Sequence, residues 1–443
     1  QNLDIFIQEN SLKLDGNLLI QIFTSHNDKC FILTLVDNIL NHLPNAKIIG
    51  STTCGEISNR GSINNSTVIS FSIFQQTRIE TKLVTYNESS FATGKNLIQS
   101  FKNINNDIKL LIAFSDGLTT NGEEFLKGIS SINDDIIVSG GMAGDNSKFE
   151  ETFVFTQDEI TSKGAVGAAF FNKDLNIHTD YSFNWETVGK KHIIEKSEKN
   201  RVYKIAGMTT VDFYKYYLGN DIGRLLPAIG IEFPLVIKRD GIKVARAVLS
   251  KHDDGSLSFA GNIEEGSEVQ FGHGDVQMII NKGLENVKNI IDHPIESIFI
   301  YSCMARRALL ENDINLEILP LSELAPISGF FTYGEFFTTC CNKNKELLNQ
   351  TMTLMTLSES NTNKSKEIDK QNSCEEDTST ITTKALSHLV NVTSKELHEI
   401  NGDLEVRIQR EKQTVKDQEK HLFAQSKMAS MGDMIGNIAH QWR

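Results

Sequence analysis

The chain has 443 residues, a formal net charge of −13 and a pI near 5.4. That length holds two or three domains, and the acidic balance argues against non-specific nucleic-acid binding and against attraction to an anionic membrane surface. No apolar run approaches a membrane span, the first residues lack a basic-then-apolar signal pattern, and Cys30, Cys54, Cys303, Cys340, Cys341 and Cys374 form neither a CxxC pair nor zinc spacing, so reduced thiols in a cytoplasmic protein are expected.

Along the first 357 residues, strand-length β-branched and aromatic segments alternate with helical ones. "NLLIQIFT", "AKIIGSTT", "STVISFSIF", "RIETKLVTY", "IKLLIAFSD", "DIIVSGGMAG", "ETFVFT" and "AVGAAFFN" read as strands, with helices at "DKCFILTLVDNILNHL" and "EEFLKGISSI". After Trp185 the tempo repeats: "TTVDFYKYYLG" as helix, "FPLVIK" and "IKVARAVLS" as strands, "GDVQMIINKGLENVKNII" as helix, then the strands "IESIFIYS" and "TMTLMTL". The expected fold class is α/β: two related units with mixed sheets, residues 1–184 and 185–357, forming one module, followed by a long C-terminal helix. "GSTTCGEI" (Gly50 to Ile57) and "GFFTYGEF" (Gly329 to Phe336) share Gly, Thr, Gly and Glu at the same offsets, and "LLIAFSDGL" and "SIFIYSCMA" are both apolar strands ending in Ser before a helix.

Residues 358–381 have almost no apolar side chain and read as a flexible polar linker. A helix is then predicted over 382–443. Val390, Leu397 and Leu404 fall seven apart, as do Ile408, Val415, Leu422 and Ala429. The complementary seam positions, Ser394, Asn401, Glu411, Gln418 and Gln425, are polar, so the expected coiled-coil homodimer is weak. Met428, Met431, Ile435, Ile438 and Trp442 continue an apolar stripe beside His440, a residue type whose neutral imidazole offers a nucleophilic nitrogen and whose unperturbed pKa is physiological.

"SKMASMGDMIGNIAHQWR" resembles the H-box of bacterial sensor histidine kinases. The resemblance implies that His440 accepts the γ-phosphoryl group of ATP, that an ATP-binding domain using ATP and Mg follows beyond Arg443, and that the partner is a cognate response regulator. This chain alone is then expected to be inactive and to need no cofactor.

"GSTTCGEIS", "GGMAGDN", "YSCMARRALL" and "GFFTYGEF", in that order, resemble the FIST N and FIST C sensory domains of signal-transduction proteins. That resemblance implies an intracellular small-molecule sensor, with amino acids as the ligand class. The candidate ligand residues are Thr53, Cys54, Gly140, Gly141, Asp145, Asn146, Ser302, Cys303, Arg306, Tyr333 and Glu335. Glycines let main-chain N–H groups approach a ligand, Asp145 can accept from an ammonium group, and Arg306 and Arg307 begin the "MARRALL" helix, where a guanidinium can grip a carboxylate bidentately. The opposing reading makes the glycines tight turns and pairs Arg306 structurally with Glu335. Two other functions are weighed: a thiol enzyme using Cys303, with Ser115 at a similar junction, and, as the FIST resemblance also implies, a haem-based nitric-oxide sensor, for which His178, His192, His252 or His273 could ligate the iron.

Overall fold

In the computed structural model, residues 3–10, 17–105, 107–183, 185–239, 241–274, 289–339, 343–361 and 378–441 are described. Most of the helix expected over 274–291 (residues 275–288), most of the linker, Cys340, Cys341 and Cys374, and the terminal Trp442 and Arg443 lie outside them. The chain divides into two compact units, Gln1–Ile381 and Thr382–Arg443.

After a short helix α1 (Leu3–Glu9), strand β1 (Asn17–Thr24) is buried at every residue but its first. A strand covered on both faces has to be apolar throughout, and "LLIQIFT" nearly is. Asp28 caps helix α2 (Lys29–His42) through the N–H groups of Cys30 and Phe31, and Ile32, Val36 and Ile39 form the stripe that packs on the sheet. The chain returns parallel to β1 as β2 (Lys47–Thr52), makes the hairpin β3 (Glu56–Ser58) and β4 (Gly61–Ile63), and continues through β5 (Thr67–Phe74) and β6 (Arg78–Thr85).

Helix α3 (Ser90–Lys102) leads to a second run of the same order: β7 (Leu110–Ser115), α4 (Gly122–Ser130), β8 (Ile137–Met142), hairpin β9 (Val154–Thr156) and β10 (Ile160–Thr161), then β11 (Gly164–Phe171) and β12 (Asn176–Ser182). An antiparallel sheet follows, built from Trp185–Glu198, Arg201–Ile205, Met208–Thr209, Leu235–Arg239, Ile242–Arg246, Val248–Lys251, Leu257–Phe259 and Glu268–Gly274 (β13 to β20), with helix α5 (Thr210–Leu218) against it. The third run is β21 (Ser297–Cys303), α6 (Met304–Leu310), α7 (Ile314–Ser322), β22 (Ile327–Thr332), hairpin β23 (Glu335–Thr338) and β24 (Lys345–Leu348), and β25 (Met352–Ser358). The second compact unit belongs to one long helix, α8 (Thr378–Gln441).

The three runs exchange strands in a cycle. After β2 the chain crosses to pair β3 with β22; after β22 it crosses to pair β23 with β8; after β8 it crosses to pair β9 with β2. The resulting sheets are β10-β9-β2-β1-β5 (sheet one), β24-β23-β8-β7-β11-β6 (sheet two) and β12-β25-β21-β22-β3-β4 (sheet three). Their inner faces share one core, in which Phe23, Phe114 and Tyr301 occupy equivalent positions at the strand ends and close on Phe330 at centroid distances of 5.0, 5.4 and 5.7 Å. Fully burying each such ring is worth roughly 1.5–3 kcal/mol. The outer faces are covered by α2, by α3 with α4, and by α6 with α7.

The expected α/β class with mixed sheets and a long C-terminal helix is what the structure has. The paired motifs "GSTTCGEI" and "GFFTYGEF" are equivalent, and "SGGMAGDN" supplies a third equivalent exit. Much of the tempo after Trp185 belongs to the antiparallel sheet, which is tied to α4 through buried Arg246 on Glu123, whose carboxylate also accepts from Arg239 Nη1 at 3.0 Å and the Asn262 N–H at 3.0 Å.

Candidate functional site

The three Gly-rich exits meet in a ring of main-chain hydrogen bonds. Cys54 N–H donates to Phe331 O (2.9 Å), Tyr333 N–H to Met142 O (3.1 Å) and Gly144 N–H to Thr52 O (3.0 Å). Cys54, Tyr333 and Gly144 are therefore equivalent residues of three repeats. A Cβ at Gly144 would lie 2.5 Å from Cys54 Sγ, so the third position has to be glycine. Thr53 donates to Glu56 (2.6 Å), and Thr332 donates to Glu335 (2.6 Å) in the same way.

On one side of this ring opens a cleft of about 460 Å³. Cys54 comes from the exit of β2, Asn64 from the end of β4, Asn146 and Ser147 from the loop after β8, Met304 and Arg307 from α6, and Asn315 from α7. Arg307 crosses the cleft to donate to Cys54 O and Asn64 Oδ1, and its guanidinium lies 5.0 Å from the centroid of Phe331. Gly55 makes that reach possible: it sits at φ +116°, and a Cβ there would fall 2.1 Å from Arg307 Nη1. Burial pulls the Arg307 pKa down, with Cys54 and Glu56 opposing. Among the described residues no carboxylate pairs with Arg307; both its acceptors are neutral, so it retains N–H donors for an anion. Glu311 brings a carboxylate to the same cleft.

The structure divides the eleven ligand-site residues predicted from sequence into three groups. Cys54 and Asn146 line the cleft. Tyr333 and Asp145 stand behind it: Tyr333 stacks on Phe149 (4.6 Å) and donates its hydroxyl to Asp145, which also accepts the N–H groups of Phe149, Glu150 and Glu151. Burial works against Asp145 ionisation, but these hydrogen bonds outweigh it and hold the carboxyl below its usual range. With its oxygens engaged by its own loop, Asp145 is poorly placed to receive an ammonium group. The other residues are interior. Gly140 and Gly141 sit within β8, where a Cβ on Gly140 would meet Ala113 O at 2.0 Å, and the Thr53 hydroxyl is held by Glu56. Ser302, Cys303, Arg306 and Glu335 are buried. The Arg306 guanidinium is fully enclosed and bidentate on Glu317 (2.9 and 2.5 Å), with Ser182 Oγ at 2.9 Å, so it pairs structurally, with Glu317 rather than Glu335. Asn64, Ser147, Glu311 and Asn315 were not among the predicted residues, and of the two arginines at the helix start Arg306 was chosen where Arg307 lines the cleft. The one available signal was the double arginine, whose members point about 100° apart around a helix.

Burial drives the Cys303 thiol far up, so it is a poor nucleophile, and burial also raises Cys54. The four histidines proposed for haem have separate surroundings. His178 stacks on His293 at 3.9 Å, and burial together with His293 lowers its pKa to about 4. His192 packs edge-on to Phe213, His252 Nε2 contacts Ser258 Oγ at 2.7 Å, and His273 is buried on β20. Among the described residues, no cluster of His, Cys, Asp or Glu side chains is placed to hold a metal ion.

Two family profiles match the chain: the FIST N domain over residues 18–208 and the FIST C domain over residues 210–338. The chain carries a FIST sensory module. FIST domains form a family of small-ligand sensors, and the cleft at the junction of the three repeats lies within the matched residues. The two matched stretches meet at Thr209, inside the antiparallel sheet and at the start of α5. No curated protein matches the chain. Among the described residues no helix is long and apolar enough to cross a membrane.

The interior of the FIST module makes its stability depend on pH. Burial pushes the Glu335 carboxyl up to about 8, with hydrogen bonds from Thr332 and Thr351 and the charge of Arg306 opposing. Its folded pKa lies above the ordinary value of 4.5, so the folded state holds the extra proton. The stabilisation is complete below about 4.5 and is lost as pH rises towards 8, with a slope of at most about 1.4 kcal/mol per pH unit. Glu335→Gln should remove this contribution: its stability relative to the unsubstituted protein should rise between pH 5 and 8 in urea titrations. A difference independent of pH would mean that Glu335 is already ionised.

Proposed function

We propose that the cleft at Arg307 receives the sensed ligand, an amino acid, and that occupancy is relayed to a histidine-kinase phosphoacceptor at His440. The observation carrying this reading is the placement of Arg307: a half-buried guanidinium with neutral partners, at the junction of three repeats, facing a cleft of hydrogen-bonding side chains. A ligand carboxylate takes the Arg307 donors, the ammonium group faces Glu311, and Asn64, Asn146 and Ser147 supply neutral contacts. Because the site draws on all three repeats, a ligand that draws them together acts on the whole module.

Support for the relay comes from α8. Val390, Leu404, Ile408, Val415 and Leu422 are 41%, 49%, 46%, 52% and 65% exposed, an apolar stripe that a parallel second copy would cover. The motif around His440 supplies the phosphoacceptor: imidazole nitrogen attacks the γ-phosphorus of ATP, ADP leaves, and a phosphoramidate forms. When the chain is extended at Arg443 with a histidine-kinase ATP-binding domain, acid-labile, base-stable phosphate should appear on it. The signal should rise with the dimer fraction measured by sedimentation and vanish in His440→Gln. Phosphate that persists in His440→Gln removes that residue from the mechanism.

A further inference from the structure

Sheets two and three each end in a sixth strand that arrives from the neighbouring sheet. The connection 75–77 carries β5 of sheet one into β6, which pairs with β11; the connection 172–175 carries β11 of sheet two into β12, which pairs with β25. Sheet one has five strands and stops at β5. The strand equivalent to β5 and β11 in sheet three is β25, and after Ser358 its chain does arrive at the end of β5. The Glu359 carboxylate accepts the N–H groups of Gln75, Gln76 and Thr77 at 2.8, 3.1 and 2.7 Å.

Beside β5 lies a cleft of about 510 Å³, bounded by Ser70, Ser72 and Phe74 on one side and by Phe299, Ile327 and Leu357 on the other. Its position is that of the sixth strand in the other sheets. There, β6 lies against the starts of the strands of sheet one, with Glu80 on Lys47 at 3.0 Å, and β12 lies against sheet two, with Thr179 donating to Thr338 O at 2.8 Å. The walls of the cleft are the starts of β21 and β22, the corresponding part of sheet three. Strand β5, "TVISFSIF", has no charge, proline or glycine to guard its edge, and among the described residues nothing pairs with its outer side.

The geometry points to a docking slot for one extended segment of a partner protein, added antiparallel to β5 as the sixth strand of sheet one. The existing sixth strands state the side chains it takes. Ile79, Thr81 and Leu83 of β6 correspond to Ile177, Thr179 and Tyr181 of β12: an aliphatic residue, Thr, then a larger apolar residue at alternate positions, with Ile79, Leu83 and Ile177 on the shared core and Tyr181 turned to Phe337 and the antiparallel sheet. The sequence after Ser358 does not offer that pattern, since Ile368 is its one aliphatic residue before residue 378. A second copy of sheet one would have to bring a whole sheet into a cleft that sheet three already walls at Phe299, Ile327 and Leu357 and meets through Ser328 Oγ on Ser70 Oγ at 3.0 Å. Main-chain pairing supplies affinity and the alternate side chains supply selection.

The probe is a labelled peptide with the β6 sequence Arg-Ile-Glu-Thr-Lys-Leu-Val-Thr, titrated into the full chain by fluorescence anisotropy with hydrogen exchange read at Thr67–Phe74. The expected result is saturable binding that slows exchange along β5. Affinity should fall roughly tenfold or more, about 1.4 kcal/mol or more, for the Ser72→Arg protein and for a peptide carrying Asp in place of its Ile and Leu. No saturable binding, or binding that leaves β5 exchange unchanged, overturns the proposal. So does β5 protection without peptide: if it grows with protein concentration the occupant is a second copy, and if it does not the occupant is the chain itself.

Discussion

Replacing Arg306 by alanine is expected to cost about 3–5 kcal/mol of folding stability, the range found when one member of a buried ion pair is removed. Both side chains of the pair are fully enclosed, 0% exposed for Arg306 and 0% for Glu317. The guanidinium spans α6 and α7 through two bonds to Glu317 and reaches β12 at Ser182. Without it, the Glu317 carboxylate stays in an apolar surround of Leu310, Ile314, Ile318 and Leu321 with no cation to offset its desolvation. Replacing both partners together, as Arg306→Met with Glu317→Leu, should recover most of the loss, because a packed apolar pair needs no counter-charge. Urea unfolding of the three proteins checks this. An Arg306→Ala protein within about 1 kcal/mol of the parent would show that the pair does not hold α6 and α7 in place.

Much of the first two repeats was legible because both faces of their strands are covered. Continuous runs such as "LLIAFS" and "GAVGAAFF" leave little choice but buried strand, and the caps Asp28, Ser89 and Asn121 mark helix starts. The equivalence of the Gly50 and Gly329 exits was visible because each needs a Thr to hold a buried Glu three residues on. The third exit was hidden by chemistry. It has Ala143 where the others have Thr, and the chain then runs from Asp145 to Thr152 before it returns to its hairpin, so composition alone does not align it. Only the ring of bonds from Cys54, Tyr333 and Gly144 does.

The antiparallel sheet was misleading for a related reason. Its strands "LVIKR" and "IKVAR" have the same β-branched character as the strands of the repeats, and pairing partners are not written in a local pattern. The site failed on a finer point. Charge and position nominated the double arginine, but the choice between its members depends on which face of α6 meets Glu317 on α7. That partner lies eleven residues on and across a break between helices, beyond any helical spacing rule. Arg307, on the other face, is the one left to the cleft.

The two adjacent arginines therefore separate stability from sensing, and the sensing half can be measured directly. Arg307 is partly exposed and bonded to neutral oxygens, so Arg307→Ala should leave the unliganded protein close to its parent in stability. Its loss removes the cation that a ligand carboxylate needs, and charged hydrogen bonds of this kind are worth about 1.5–3 kcal/mol. The decisive measurement is a thermal-shift screen of the parent and Arg307→Ala proteins against the common L-amino acids, with calorimetry on any that stabilise. At 100 times its Kd a ligand adds about 2.7 kcal/mol to the parent. At least one amino acid should do so, and its affinity should fall about 10- to 150-fold in Arg307→Ala while the unliganded melting temperature holds. Undiminished binding by Arg307→Ala, or a panel in which no amino acid stabilises the parent, would contradict the assignment of this cleft as an amino-acid sensor.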